Sequence, residues 1–133
     1  MGVWFGAGTA QNTAALPDWT HWQIGEQNDV PGSSDIPTDA QLYVVSLEIA
    51  AVNTATAVEL YVTYDEAGLQ PITPYNVPAA TQDISVIGAG GSVAWRLDVP
   101  LVARAGAGIW VHARPDADTL TGARPYVTAR NVQ

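Results

Sequence analysis

Strict alternation of apolar and polar residues is the feature that most limits what this chain can fold into. In residues 92–99 (SVAWRLDV), Val93, Trp95, Leu97 and Val99 fall on one side and Arg96 and Asp98 on the other. That period of two belongs to a strand with one buried face. Residues 42–52 (LYVVSLEIAAV) repeat it, with Tyr43, Val45, Leu47, Ile49 and Ala51 on one side and Ser46 and Glu48 on the other. So do residues 57–64 (AVELYVTY), with Val58, Leu60, Val62 and Tyr64 inward and Glu59, Tyr61 and Thr63 outward. The polar residues 53–56 between these two runs predict a long hairpin. Residues 109–114 place Ile109, Val111 and Ala113 inward and Trp110, His112 and Arg114 outward. Shorter strands are expected at 84–87, at 125–132, around 19–24 and near Val3, and no segment carries a helical period. The sum, roughly seven or eight strands separated by Gly- and Pro-rich turns, predicts an all-β, antiparallel β-sandwich. Its 133 residues suit a single domain with a core of its own.

Two stretches interrupt the pattern. Residues 25–40 (GEQNDVPGSSDIPTDA) have no period and read as a long surface loop, and residues 65–83, with Pro71, Pro74 and Pro78, read as an extended excursion. Residues 1–18 (MGVWFGAGTAQNTAALPD) suit either an edge strand or an N-terminal arm laid on a neighbouring subunit, because Trp4 and Phe5 need somewhere to bury. Gly88, Gly90 and Gly91 follow one strand and lead into another, so they form a flexible turn rather than a phosphate cradle, which needs a helix to follow.

The charge is distributed unevenly. The chain carries a net charge of −8 and no lysine; its five basic residues are Arg96, Arg104, Arg114, Arg124 and Arg130. All ten acidic residues of positions 1–95 lack a basic counterpart there, whereas positions 96–133 hold three acidic residues and the five arginines. Such a surface repels a phosphate backbone, so no nucleic-acid partner is expected. The same asymmetry lets the acidic part of one copy face the arginine-rich part of another, or of a different partner. Without cysteine there is neither a disulfide nor a thiolate metal site. The start lacks the basic region of a signal peptide and no run of about 18 apolar residues occurs, so a soluble chain with no membrane partner is expected.

Residues that could carry chemistry are few. The histidines are His21 and His112, and neither has a nucleophile or acid at useful spacing. Asp65 and Glu66 are adjacent in a turn, unlike carboxylates placed across a cleft. Asp116 and Asp118 in PDADTLTG lack the spacing of a calcium loop and read as turn aspartates. A non-enzyme with no catalytic residue, metal or cofactor is therefore expected. The five tryptophans are numerous for this length. Trp95 belongs to the core by period. Trp110 with His112 and Arg114, and Trp19 and Trp22 around His21, suit a stacking platform for a glycan or a subunit interface, where Trp and Arg are enriched. With Trp4 and Phe5 they make up the candidate binding residues.

The stretch LYVVSLEIAAVNTATAVELYVTY, followed by VPLVARAGAGIWVHARP and PYVTARNV, resembles TNF/C1q-like jelly rolls. Across residues 42–132 it also resembles small jelly-roll proteins of tailed-phage virions, especially capsid decoration or cement proteins. That resemblance implies a homotrimer seated on a capsid surface against the major capsid protein or another virion protein, without catalysis. It transfers no residue role. The competing expectation is an extracellular carbohydrate- or receptor-binding module of a spike or fibre.

Overall fold

The computed structural model describes residues 3–26, 40–70, 72, 80–84, 90–101 and 108–131. Among them lie ten strands and no helix: β1 (Val3–Ala7), β2 (Thr20–Glu26), β3 (Ala40–Ile49), β4 (Ala51–Val52), β5 (Ala57–Thr63), β6 (Ala80–Asp83), β7 (Gly91–Pro100), β8 (Ile109–Pro115), β9 (Leu120–Thr121) and β10 (Arg124–Asn131). Every ladder is antiparallel. The long strands run in the order β6-β5-β8-β2-β1-β10-β3-β7. The two halves of that order are joined through only two pairs, Gly6 with Glu26 and Ala7 with Gly25. They act as two sheets, β6-β5-β8-β2 and β1-β10-β3-β7, whose apolar faces meet in one cluster that includes Trp22, Leu60 and Val111 from the first and Leu47, Trp95 and Val127 from the second. The chain passes between the sheets at almost every connection. This is the jelly-roll connectivity that the resemblance implies.

Why the strands face as they do follows from the period. Val93, Trp95 and Val99 on β7 and Ile109, Val111 and Ala113 on β8 are all buried. A fully buried side chain such as Leu47 contributes about 2 kcal/mol by leaving water. On β3 the period slips. The ladder with β7 shifts between Leu42 and Val44, so Leu42 is fully buried while Tyr43, expected inward, is half-buried on the outer face. A bulge of this kind reverses the facing of the residues beyond it.

The expected hairpin is a crossover instead. β3 pairs with β10 and β7, whereas β5 pairs with β6 and β8. Alternation states which face of a strand is buried, not whether the next strand lies beside it or opposite it. The corner between them is built from the short ladder of β4 with β9 and from Asp116. Its Oδ1 accepts the amides of Thr56 (2.8 Å) and Ala57 (3.1 Å), and its Oδ2 accepts the Thr56 hydroxyl at 2.6 Å. Gly122 lies at the same corner with φ of 62°, and a Cβ there would stand 2.9 Å from that of Ala50.

Other boundaries also move. Residues 3–7 are no free arm: β1 is inserted between β10 and β2, which satisfies the amides and carbonyls an arm would leave open. The chain then runs along the sheet, with Gly8 N–H bonded to the Pro125 carbonyl and Thr13 N–H to that of Leu120. The strand expected at 84–87 lies earlier, at β6, within the excursion expected for 65–83; positions 85–87 are outside the described residues. Asp65 closes the start of that excursion by accepting the amides of Leu69 and Gln70, and the buried Ile72 returns its N–H to the Val62 carbonyl. Of the loop expected at 25–40, the ends belong to β2 and β3, and 27–39 lie outside the described residues.

Candidate functional site

Cross-strand register assembles an aromatic rung on the outer face of the β5-β8-β2 half. Tyr61 is opposite His112, and His112 is opposite His21, so three rings from three strands stand side by side. The Tyr61 and His112 rings stack at 4.3 Å with 3° between planes. The His21 ring meets His112 edge-on at 5.2 Å, and Trp19, just before β2, meets Tyr61 edge-on at 4.8 Å. The neighbouring rung holds Glu59 opposite Arg114. Arg114 bonds Glu59 at 2.7 Å, donates to the Pro17 carbonyl at 3.1 Å, and lays its guanidinium 4.4 Å over the Trp19 ring.

His112 is the buried member, 1% exposed. Thr63 donates its only hydroxyl hydrogen to the Asp65 carbonyl at 2.5 Å. Its contact of 2.8 Å with His112 Nε2 must therefore be received from the imidazole, which puts the ring hydrogen on Nε2. Nδ1 is then a lone pair with no partner. Burial, reinforced by repulsion from His21 and opposed by Asp65, pushes the His112 pKa down from 6.5 to about 4. Tyr61 is pushed up, first by burial and then by the Asp65 carboxylate, against a smaller opposing effect of Arg114.

Above the rung lies an open groove of about 800 Å³, lined by Ala14, Pro17, Asp18, Trp19, His21 and Tyr61 with Glu66, Ala67 and His112. A smaller depression of about 330 Å³ adjoins it, edged by Gln11, Asn12 and Thr13, and shares Trp19 and His21 with it.

The structure thus brings Trp19, His112 and Arg114 together and separates the other expected residues. Trp22 belongs to the core, 1% exposed, because three positions from Trp19 in a strand is the opposite face. His112 is floor rather than platform, covered by Tyr61 and His21. Trp110 shares the outer face of β8 but is half-buried, outside the groove lining. Trp4 lies on β1, its side chain outside the described residues. Phe5 stands on the outer face of the other half, 52% exposed, on the same rung as Thr128.

That second face has its own cluster, which sequence reasoning did not single out. Arg130 lies 4.0 Å and Arg96 4.9 Å over the Tyr43 ring. Asp98 bonds Arg96 at 2.9 Å and stands 3.8 Å from Arg130. Arg124 lies 5.1 Å over Tyr126 on the same face of β10.

No protein-family model and no curated protein matches the sequence. Among solved structures, the chain is similar to one from the cyanophage Pam1 capsid asymmetric unit, at 15% identity and a TM-score of 0.49 over 98% of this chain and 85% of that one. It is similar to FlhE at 7% identity and a TM-score of 0.50, over 98% and 97%. It is also similar to the mannan-recognising carbohydrate-binding module TmCBM27, at 14% identity and a TM-score of 0.37, over 94% and 88%. The FlhE likeness shows a shared all-β fold and nothing about activity.

Proposed function

We propose that this chain is a structural virion protein, a capsid decoration or cement protein. In this reading it forms a homotrimer on the head surface and reinforces the shell through contacts with the major capsid protein, without catalysis. The observation that carries the reading is the outer face of β1-β10-β3-β7. It presents Phe5, half-exposed, on the same face as Tyr43 and Tyr126, each of which lies under an arginine. Aromatic and arginine side chains are the types enriched where proteins meet.

Stability does not account for this cluster. The Arg96 and Asp98 side chains are 64% and 39% exposed, and an exposed ion pair contributes at most about 1 kcal/mol. Recognition accounts for it better. On this face Arg96, Arg124 and Arg130 outnumber the exposed Glu48 and Asp98, a small positive excess on a chain whose net charge is −8, while Asp18, Glu66, Asp83 and Asp116 are exposed elsewhere. A face of this sign is complementary to the acidic surface of another copy or of an acidic shell. Buried area at such seams would hold subunits against the outward pressure of packaged DNA, with no group required to react.

Light scattering on the purified chain tests the assembly. A trimer is expected, and the Phe5→Glu, Arg130→Glu double variant is expected to be a monomer that retains its β circular-dichroism spectrum. A monomeric parent chain, or a variant that assembles as the parent does, would refute the role given to this face.

A further inference from the structure

We infer that the groove on the other half, across β5, β8 and β2, binds a neutral saccharide. This is independent of the virion reading, since it concerns the opposite sheet and a different ligand. The groove offers one half-buried indole, Trp19, at the junction of two depressions, with polar side chains on either side. Asp18 and Glu66 edge one depression and Gln11 and Asn12 the other. Both amides are held by one end: Gln11 Nε2 donates to the His21 carbonyl at 3.1 Å and Asn12 Oδ1 accepts the Gly122 amide at 3.0 Å. Their other ends, Oε1 of Gln11 and Nδ2 of Asn12, serve a ligand as acceptor and donor. Planar amides and carboxylates beside an aromatic ring match the alternating hydroxyls and C–H faces of a pyranose.

Other ligand classes fit less well. An anion would meet the Asp18 and Glu66 carboxylates, and the nearby cation, Arg114, is already engaged by Glu59 and the Pro17 carbonyl. A cation on the Trp19 ring would face the Arg114 guanidinium already lying 4.4 Å over it, so a second positive charge on the far face is repelled through the ring. A sugar C–H face carries no such penalty. The same guanidinium, with Tyr61 against the indole edge, holds the ring in place before any ligand arrives, which lowers the ordering cost of binding.

The test is calorimetric titration of the full chain with neutral hexasaccharides of glucose, mannose, galactose and xylose, alongside sialyllactose and a lysine-rich peptide. Binding to at least one neutral hexasaccharide is expected. Trp19→Ala should weaken it by about tenfold or more, and Trp19→Phe, which keeps a stacking ring, by a few-fold at most. Should Trp19→Ala unfold, the exposed pair Asp18→Ala and Glu66→Ala reads the same groove and should weaken binding several-fold. The inference is overturned by silence towards all four neutral sugars at millimolar concentration. It is overturned equally by binding confined to sialyllactose or to the peptide, or by saccharide affinity that these variants leave unchanged.

Discussion

Acidification should weaken the fold through His112 before it affects most of the carboxylates. The imidazole is neutral in the folded chain down to about pH 4, whereas in the unfolded chain it takes up a proton near 6.5. Because the folded value is the lower one, the unfolded state binds the extra proton between these limits. Stability is then full above pH 6.5 and is lost as pH falls towards 4. The gap corresponds to about 3 kcal/mol at most, at about 1.4 kcal/mol per pH unit. The physical cause is local: a proton on Nδ1 would create a buried charge whose new N–H has no acceptor. Urea unfolding from pH 7.5 to 4 measures it, against His112→Gln, which keeps a donor for Thr63 but does not titrate. The stability of the parent should fall relative to the variant by about 2–3 kcal/mol across this window, a midpoint shift of roughly 1–2 M urea. Loss of net negative charge affects both proteins alike and cancels. Parallel curves would refute the burial of a neutral imidazole at this position.

Two further predictions concern the corner where the chain crosses between sheets. Gly122→Ala places a Cβ at a φ of 62° and 2.9 Å from that of Ala50, so thermal unfolding should show a loss of about 2 kcal/mol, and an unchanged melting temperature would contradict the described corner. Asp116→Ala removes the acceptor for Thr56 and Ala57 and should cost about 1–2 kcal/mol at neutral pH, discounted for its exposure. Those same bonds hold the Asp116 pKa below its ordinary 3.8. Its contribution is therefore present above that value and disappears as pH falls through the lower folded one, a window below that of His112. A parent and Asp116→Ala that stay equally stable at pH 7 would show the bonds to be incidental.

Periodicity made most strands legible, down to the inward facing of Val93, Trp95, Ile109 and Val111. Pairing was not legible, because alternation is a property of one strand and pairing of two. The hairpin expected for 42–64 failed for that reason: either partner arrangement buries the same Val and Leu side chains. Tyr43 failed because a bulge needs only one additional residue and leaves no mark in composition. The site was half visible. Trp19 and Arg114 could be singled out by type, but Trp22 was grouped with Trp19 and His21 although its even position sets it on the opposite, buried face. Tyr61 was placed outward, but only the register that sets it opposite His112 makes it part of a floor, and the burial of His112 follows from that stacking rather than from its own strand.

The most direct measurement of the proposed role is co-sedimentation of the chain with empty and DNA-filled tailed-phage heads. Pelleting in a fixed ratio to the major capsid protein, lost in the Phe5→Glu, Arg130→Glu variant and unaffected by Trp19→Ala, is the result expected of a decoration protein using the β1-β10-β3-β7 face. A chain that stays in the supernatant with both kinds of head would contradict it.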